Sequence, residues 1–480
     1  MESTDTVALE TAAGTAVVPA GTPEELAGPA YGVAPVTRQD RVSSIDVLRG
    51  FSLMGILVMN VCDFAYGFRN YAYPLSTVKP VFSGPHWKVN TAVWFLRWIL
   101  AEGKMRAIFS MLFGAGVILL TERAEARGAG VRVADIYTRR NMWLVLFGML
   151  HGYLIWSGDI LFYYGTAALL FLFPFRNVRV KRLMWVAGIL LVVNSVLVNG
   201  GQYMATYSMK QAADKANAKL AQHQTLSEDE AGDLTRWRDA QDRWRMSPKV
   251  HYDDIAAMQK GYWKAQGHVA KDVLTGELKG AYFAFGDWVG MMLLGMALYK
   301  NGFLSGRLRM KTYAWTAAIG LAVAWAVVGV GAWKSWAGHF DMFQTMRWMQ
   351  FPYDVGRVAG ALGNAALLLM ILKAGLLKWL SRRVAAVGQM ALSNYLLTSI
   401  TMQVIFAWGP WHWYGYVEYY KIYYAVAAMW IANMTFSSIW LRYFEFGPME
   451  WVWRSLTYWK RQPMRIGGRQ RVSDRLVQAA

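Results

Sequence analysis

The chain has 480 residues, 55% of them apolar and 15% aromatic, and a formal charge of +19. Apolar runs of about 17–23 residues recur along it, the length of a bilayer-spanning helix, which excludes an ordinary water-soluble domain. Strand-type alternation is absent, arguing against a membrane β-barrel, and the basic residues cluster at the ends of apolar runs, arguing against a nucleic-acid-binding surface.

Residues 1–36 are rich in Ala, Thr, Gly and Pro, with no basic segment ahead of an apolar stretch. They read as a disordered cytoplasmic tail, not as a secretory signal. Ten spans follow, at 47–65, 105–121, 141–156, 159–175, 183–203, 281–299, 312–332, 357–378, 388–407 and 421–441. The expected class is therefore all-α, a polytopic transmembrane helical bundle. Its units are a five-span bundle at 37–203, a polar insertion at 204–280, a second five-span bundle at 281–460 and a basic cytoplasmic tail at 461–480. Arginines mark every second connection: Arg38 and Arg41 before the first span with Arg49 at its start, Arg123, Arg139 and Arg140 after the second, Arg176 and Arg179 after the fourth. Arg307 and Arg309 after the sixth, and Arg382 and Arg383 after the eighth, continue the alternation. By the positive-inside rule both termini are cytoplasmic.

Two segments depart from simple hairpins. The apolar run 91–121 would be about 47 Å long as one helix, too long for a bilayer. The polar stretch Glu102-Gly103-Lys104-Met105-Arg106 divides it, so 91–101 is expected in the outer interface and 105–121 across the membrane. The insertion 204–280 carries acidic and basic residues in near balance and reads as extracytoplasmic polar helices.

Polar residues inside apolar runs need a reason. In "NMWLVLFGMLHGYLIWSGDILFYYG", His151 lies deep in a span, where an ionisable group usually faces a bundle interior or a watery cavity. The plainer alternative is a neutral imidazole bonded to a neighbouring helix, with Gly148 and Gly152 permitting close approach. Asp159 comes eight residues later. On one continuous helix about 12 Å would separate the two, so contact requires a turn at Ser157-Gly158 that folds the next helix back. Otherwise Asp159 caps the following helix. In "RVSSIDVLRGF", Ser43 and Asp46 have capping-box spacing, and Asp46 can pair with Arg49 three residues on. Arg49 at the membrane edge also suits an anionic headgroup or a phosphate-bearing cofactor. Lys104 and Arg106, at the helix break, either snorkel to the interface or hold an anionic group. His86 lies in the first outer loop, where a surface histidine is the default. The single cysteine, Cys62, excludes an intrachain disulfide and reads as packing. No metalloprotease, P-loop, serine-hydrolase or dinucleotide motif is present, and metal ligation has no support.

The blocks "SIDVLRGFSLMGILVMN", "LAEGKMRAIFSMLFGAG", "HGYLIWSGDILFYYG", "GQMALSNYLLTSI" and "FGPMEWVWRSLTYW", in this order, closely resemble the YeiB-like family of bacterial membrane proteins. The resemblance implies the bacterial inner membrane. More distantly, the "SIDVLRG" opening is similar to that of transmembrane acyltransferases, the heparan-α-glucosaminide N-acetyltransferase and acyltransferase-3 groups. Those enzymes carry an acyl group from cytoplasmic acyl-CoA to an acceptor across the membrane by means of an essential histidine. The resemblance thus implies acyl-CoA as co-substrate and His151 as general base, with His86 second by chain order. It further implies Asp159 orienting the imidazole, Arg49, Asp46, Lys104 and Arg106 near CoA phosphates, and Gln389 and Asn394 donating to an oxyanion or an acceptor sugar. Structural bonding between helices is the alternative for the last pair.

Acyl transfer is the leading expectation, and it requires an opening that connects the arginines to His151. Transport of a hydrophobic or anionic solute is the alternative, although only one interrupted segment is visible and transporters usually pair such breaks. A third reading, an assembly or sensory protein, leaves His151 as packing.

Overall fold

A computed structural model describes residues 43–126, 128, 130, 132–246 and 248–466. The expected tail at 1–36 and all of the expected basic tail beyond residue 466 lie outside them.

The regular elements of the described chain are all helices, apart from one isolated bridge between Phe444 and Arg465. In order the helices are α1 (Ser43–Tyr66), α2 (Trp87–Leu96), α3 (Lys104–Ala126), α4 (Arg132–Leu154) and α5 (Leu161–Phe175). Then come α6 (Val180–Ala221), α7 (Glu228–Arg245), α8 (Pro248–Met258), α9 (Tyr262–Lys300) and α10 (Met310–Ala337). The last five are α11 (Met342–Lys373), α12 (Lys378–Gln389), α13 (Ala391–Trp408), α14 (Tyr419–Tyr443) and α15 (Pro448–Thr457).

Six helices are long and apolar enough to cross a membrane, and the number rises to eight if each of two bent pairs is one span. Every one of the ten expected spans coincides with a helix. Two of them, 141–156 and 159–175, fall short of spanning by length and composition. α4 spends its first turns on Arg132, Asp135, Arg139 and Arg140, and α5, at about 22 Å, is shorter than the hydrocarbon core.

The expected break in 91–121 is present. A π-helical turn at Arg97–Ala101 follows α2, and Glu102-Gly103 interrupt the helix before α3 begins. α2 and α3 nevertheless form together one 40-residue candidate crossing, Trp87–Ala126, so the structure does not set 91–101 apart as an interfacial helix. Gly103 has φ +70°, and a side chain there would run into the Tyr353 hydroxyl. The insertion 204–280 is helical, comprising the polar half of α6, then α7, α8 and the start of α9. A Ser227–Glu230 capping box starts α7, whose Trp244 donates to the Phe340 carbonyl of the bundle at 2.9 Å.

Close backbone crossings hold the bundle together. The one that positions the site joins α1 to α12. A Cβ on Gly388 would overlap the Asp46 carbonyl, and one on Gly50 the Val384 carbonyl. Small residues let helices approach this closely where lipid supplies no hydrophobic drive. Gly388→Val is expected to force α12 outward at a cost of about 1–3 kcal/mol, read as a lower melting temperature in detergent. Gly329→Val, where an added Cβ meets nothing within 4 Å, should leave melting unchanged. Equal melting of the two variants would contradict the crossing.

Candidate functional site

α4 ends at Leu154 because the chain turns there. Ile155 and Trp156 both donate to the His151 carbonyl at 2.9 Å, and Ser157-Gly158 complete the reversal. Gly158 packs against the Trp156 ring, and α5 then returns along α4 with the Phe162 backbone pressed on Gly148. The fold-back delivers Asp159 to His151. Asp159 Oδ1 lies 2.9 Å from His151 Nδ1, with both residues buried at 2% and 1% exposure. Asp159 Oδ2 accepts from Phe162 N at 2.7 Å, so one carboxylate both caps α5 and orients the imidazole. The two roles weighed for Asp159 coexist.

A carboxylate at Nδ1 favours the imidazole proton there, so that in the neutral ring the lone pair is on Nε2. His151 Nε2 is buried and makes no hydrogen bond among the described residues. The ring packs against Tyr395 at 4.8 Å between centroids and edge-on to Trp156 at 6.2 Å. Trp156 in turn donates to Asp63 at 2.8 Å.

Two cavities meet at Tyr395. The larger, of about 240 Å³, has Asp46, Arg49, Arg123, Arg140 and Arg454 on the arginine-rich side. Phe109, Phe113, Leu144 and Leu161 form apolar walls, and Tyr164 and Tyr395 lie deeper. Arg49 donates to Asp46 Oδ1 at 3.1 Å and, more weakly, to the Gly388 carbonyl at 3.4 Å. The Arg140 guanidinium lies 3.9 Å over the Trp453 ring, whose Nε1 donates to the Arg140 carbonyl at 2.8 Å. The smaller cavity, of about 20 Å³, is lined by Asn60, Thr398, Ser399, Asn433, Trp156 and Tyr395 among others. His151 lines neither cavity, and Tyr395 stands between it and the larger one, so the expected opening from the arginines to His151 is closed.

The other expected site residues separate. Asp46, Arg49 and Gln389 line the larger cavity together. The Ser43 side chain lies outside the described residues, so its capping of α1 is not part of this picture, and Asp46 pairs with Arg49. Asn394 is fully buried away from the cavity, donating to the Val387 carbonyl at 3.1 Å and to Ser437 Oγ at 2.8 Å, which is bonding between helices. Lys104 and Arg106 do not join Arg49. Lys104 Nζ donates to the Trp98 carbonyl at 2.8 Å, closing the π turn, and Arg106 pairs with Asp287 at 2.9 Å. His86 is half exposed and pairs with Glu418 at 3.1 Å, apart from both cavities.

Sequence reasoning missed a buried ionic chain. Asp287 lies between Arg106 and Arg357, and Arg357 also binds Asp354 at 2.8 Å. Asn199 donates to Asp354 at 2.9 Å, and Arg97 pairs with Glu102 at 2.7 Å nearer the helix break. The signal was an aspartate, Asp287, inside an apolar span. Glu450 was missed too. It accepts from Leu392 N at 2.6 Å, Ser393 N at 3.2 Å and Ser393 Oγ at 2.5 Å, capping α13 where it leaves α12 at 85°. Among the described residues no group of three or more His, Cys, Asp and Glu is placed to hold a metal ion.

Residues 298–460 match the family described as protein of unknown function (DUF418). The chain is 28% identical over 436 residues to the uncharacterized protein YeiB of Escherichia coli K12, covering 87% of this chain and 96% of YeiB. It is likewise 28% identical over 451 residues to the uncharacterized protein YxaH of Bacillus subtilis 168, covering 90% and 97% of the two chains. It is homologous to these bacterial proteins. No solved structure matches it. The similarity to YeiB and YxaH runs nearly the full length of each, as the resemblance of the five blocks anticipated. The DUF418 match falls on the half that supplies Gln389, Tyr395, Glu450 and Arg454, and the His151–Asp159 pair lies before it. Together with six to eight candidate crossings, the homology makes the chain a multi-pass membrane protein.

Proposed function

We propose that the protein is an acyltransferase of the bacterial inner membrane, with both termini cytoplasmic and ten crossings. It moves an acyl group from cytoplasmic acyl-CoA to an acceptor, with His151 as general base. One observation carries the reading: an apolar cavity rimmed by arginines ends at Tyr395, whose ring packs on a buried His–Asp pair. Arginine forks suit the CoA phosphates, and apolar walls suit the pantetheine arm and acyl chain. His151 Nε2 takes the proton of the acceptor, and Asp159 stabilises the imidazolium so formed. Because Tyr395 stands in the way, the reaction requires that side chain to swing aside. The distant likeness of "SIDVLRG" to acyltransferase openings favours the same reading.

Equilibrium dialysis with labelled acetyl-CoA tests it. Arg49→Ala should weaken binding about tenfold, the effect of one or two lost charge-assisted hydrogen bonds. Absence of binding by the unaltered protein would remove the proposal.

Transport is the second reading. It is favoured by the ionic chain through Asp287 and by the 85° break between α12 and α13, a second interrupted segment in the other half of the chain. Flux of an anionic solute in proteoliposomes without any acyl donor would support it over acyl transfer.

A further inference from the structure

We infer that the small cavity beyond Tyr395 is the acceptor site, and that it takes the single hydroxyl or amine of an amphiphile arriving sideways through the bilayer. The inference rests on the acyl-transfer reading and gives it a substrate class.

The lining is unusual for its depth. Asn60, Thr398, Ser399 and Asn433 come together from α1, α13 and α14, each well inside its apolar helix. Polar side chains there are costly unless they bond to one another or serve a ligand. They are not fully used. Asn433 Nδ2 donates to Thr398 Oγ1 at 3.0 Å, but Asn433 Oδ1 is buried without a hydrogen-bond partner, in a residue 3% exposed. An orphaned acceptor of this kind suits an incoming O–H or N–H.

Size and access narrow the ligand. About 20 Å³ holds one or two water-sized groups, so a hydroxyl fits and a sugar ring does not. Of its lining, Met54, Asn60, Thr398 and Trp430 are partly exposed. They lie along the spans, not at their ends, so entry between them is from hydrocarbon on the reading proposed here. A molecule reaching it travels in the membrane and carries little polar surface beyond the reacting group.

The back wall supplies the chemistry. Tyr395 and Trp156 line the cavity, and both pack on the His151 ring. Tyr395 also lines the arginine-rimmed cavity, so it is the partition between acceptor and donor. When it swings aside, the acceptor oxygen attacks the thioester carbonyl and its proton passes to His151 Nε2. The C–O bond forms, the C–S bond breaks, and the imidazolium returns the proton to the departing CoA thiolate. The products are an ester (an amide from an amine) and free CoA.

The test uses the full-length protein in nanodiscs and a long-chain alcohol bearing a photoactivatable diazirine, with labelled peptides mapped. Label should concentrate on the stretches of α1, α13 and α14 that hold Asn60, Thr398 and Asn433, and excess hexadecanol should compete where glucose does not. Asn433→Leu should cut labelling about fivefold or more, as loss of a buried hydrogen bond predicts. Thr398→Val, which keeps the volume, gives the same reading if Asn433→Leu fails to fold. Uniform labelling of lipid-facing helices that neither variant changes would overturn the inference, as would competition by glucose alone. Acetyl-CoA binding, measured in parallel, separates the two ideas. Binding without pocket labelling sinks this site and spares acyl transfer, whereas labelling without acetyl-CoA binding sinks the acceptor role.

Discussion

His151→Asn is expected to yield a folded protein that still binds acetyl-CoA and has lost acyl transfer by about 10²–10⁴-fold, the usual worth of a general base. Asparagine keeps a donor toward Asp159 Oδ1, so the carboxylate that holds Phe162 N is not left stranded. What disappears is the basic nitrogen, His151 Nε2, which makes no hydrogen bond of its own. The measurement is thiol release from acetyl-CoA beside a melting curve. His86→Ala, which removes only a half-exposed partner of Glu418, should leave the rate unchanged. If His151→Asn keeps full activity, the imidazole is packing. If it melts far below the unaltered protein, its role is structural.

Asp287→Leu is expected to have the largest effect on stability, a loss of about 3–5 kcal/mol, because it takes the shared carboxylate from two guanidiniums at once, that of Arg357 fully buried and that of Arg106 largely so. Arg357 retains Asp354, but Arg106 has no second carboxylate partner among the described residues. Adding Arg106→Met to Asp287→Leu should therefore recover much of the loss, since removing both charges is far cheaper than removing one. Thermal melting of the two single variants and the double variant closes the cycle. A single Asp287→Leu variant that melts normally would mean the pair is not closed in the resting protein, which would shift weight to the transport reading.

Local rules read well what is local. The break at Glu102-Gly103 was legible because a run too long for lipid carried polar residues in its middle. His151 and Asp159 were each visible as polar residues out of place. Their contact was conditional on a turn, and that turn depends on α5 seating its backbone on Gly148, a matter of packing that spacing alone does not decide. For Lys104 and Arg106 their place at the helix break offers snorkelling or an anionic ligand. Their true partners are the Trp98 carbonyl, across the turn, and Asp287, on a helix far along the chain. Glu450 escaped notice for the same reason. Its partners are backbone amides at the start of α13, and no i,i+4 rule reaches that far. The Arg49 rim was legible because positive ends of spans gather on one side, and Gln389 joins it through the Gly50–Gly388 crossing.

α6 runs 42 residues without a break, about 63 Å, roughly twice the hydrocarbon thickness. Its lipid half packs one face on α9, burying Leu183 and Ala187, and leaves the rest exposed, while its polar half packs against α7. A rod this long, held to the bundle along one face, adjusts its tilt to the thickness of the surrounding bilayer. Spin labels at Trp185 and Asp214, each referenced to the core residue Ala361, should therefore report a shift of the Asp214 distance between thin and thick bilayers; an invariant distance would rule this out. On this expectation the thickness of the host membrane is a mechanical input, carried along α6 to the packing of α7.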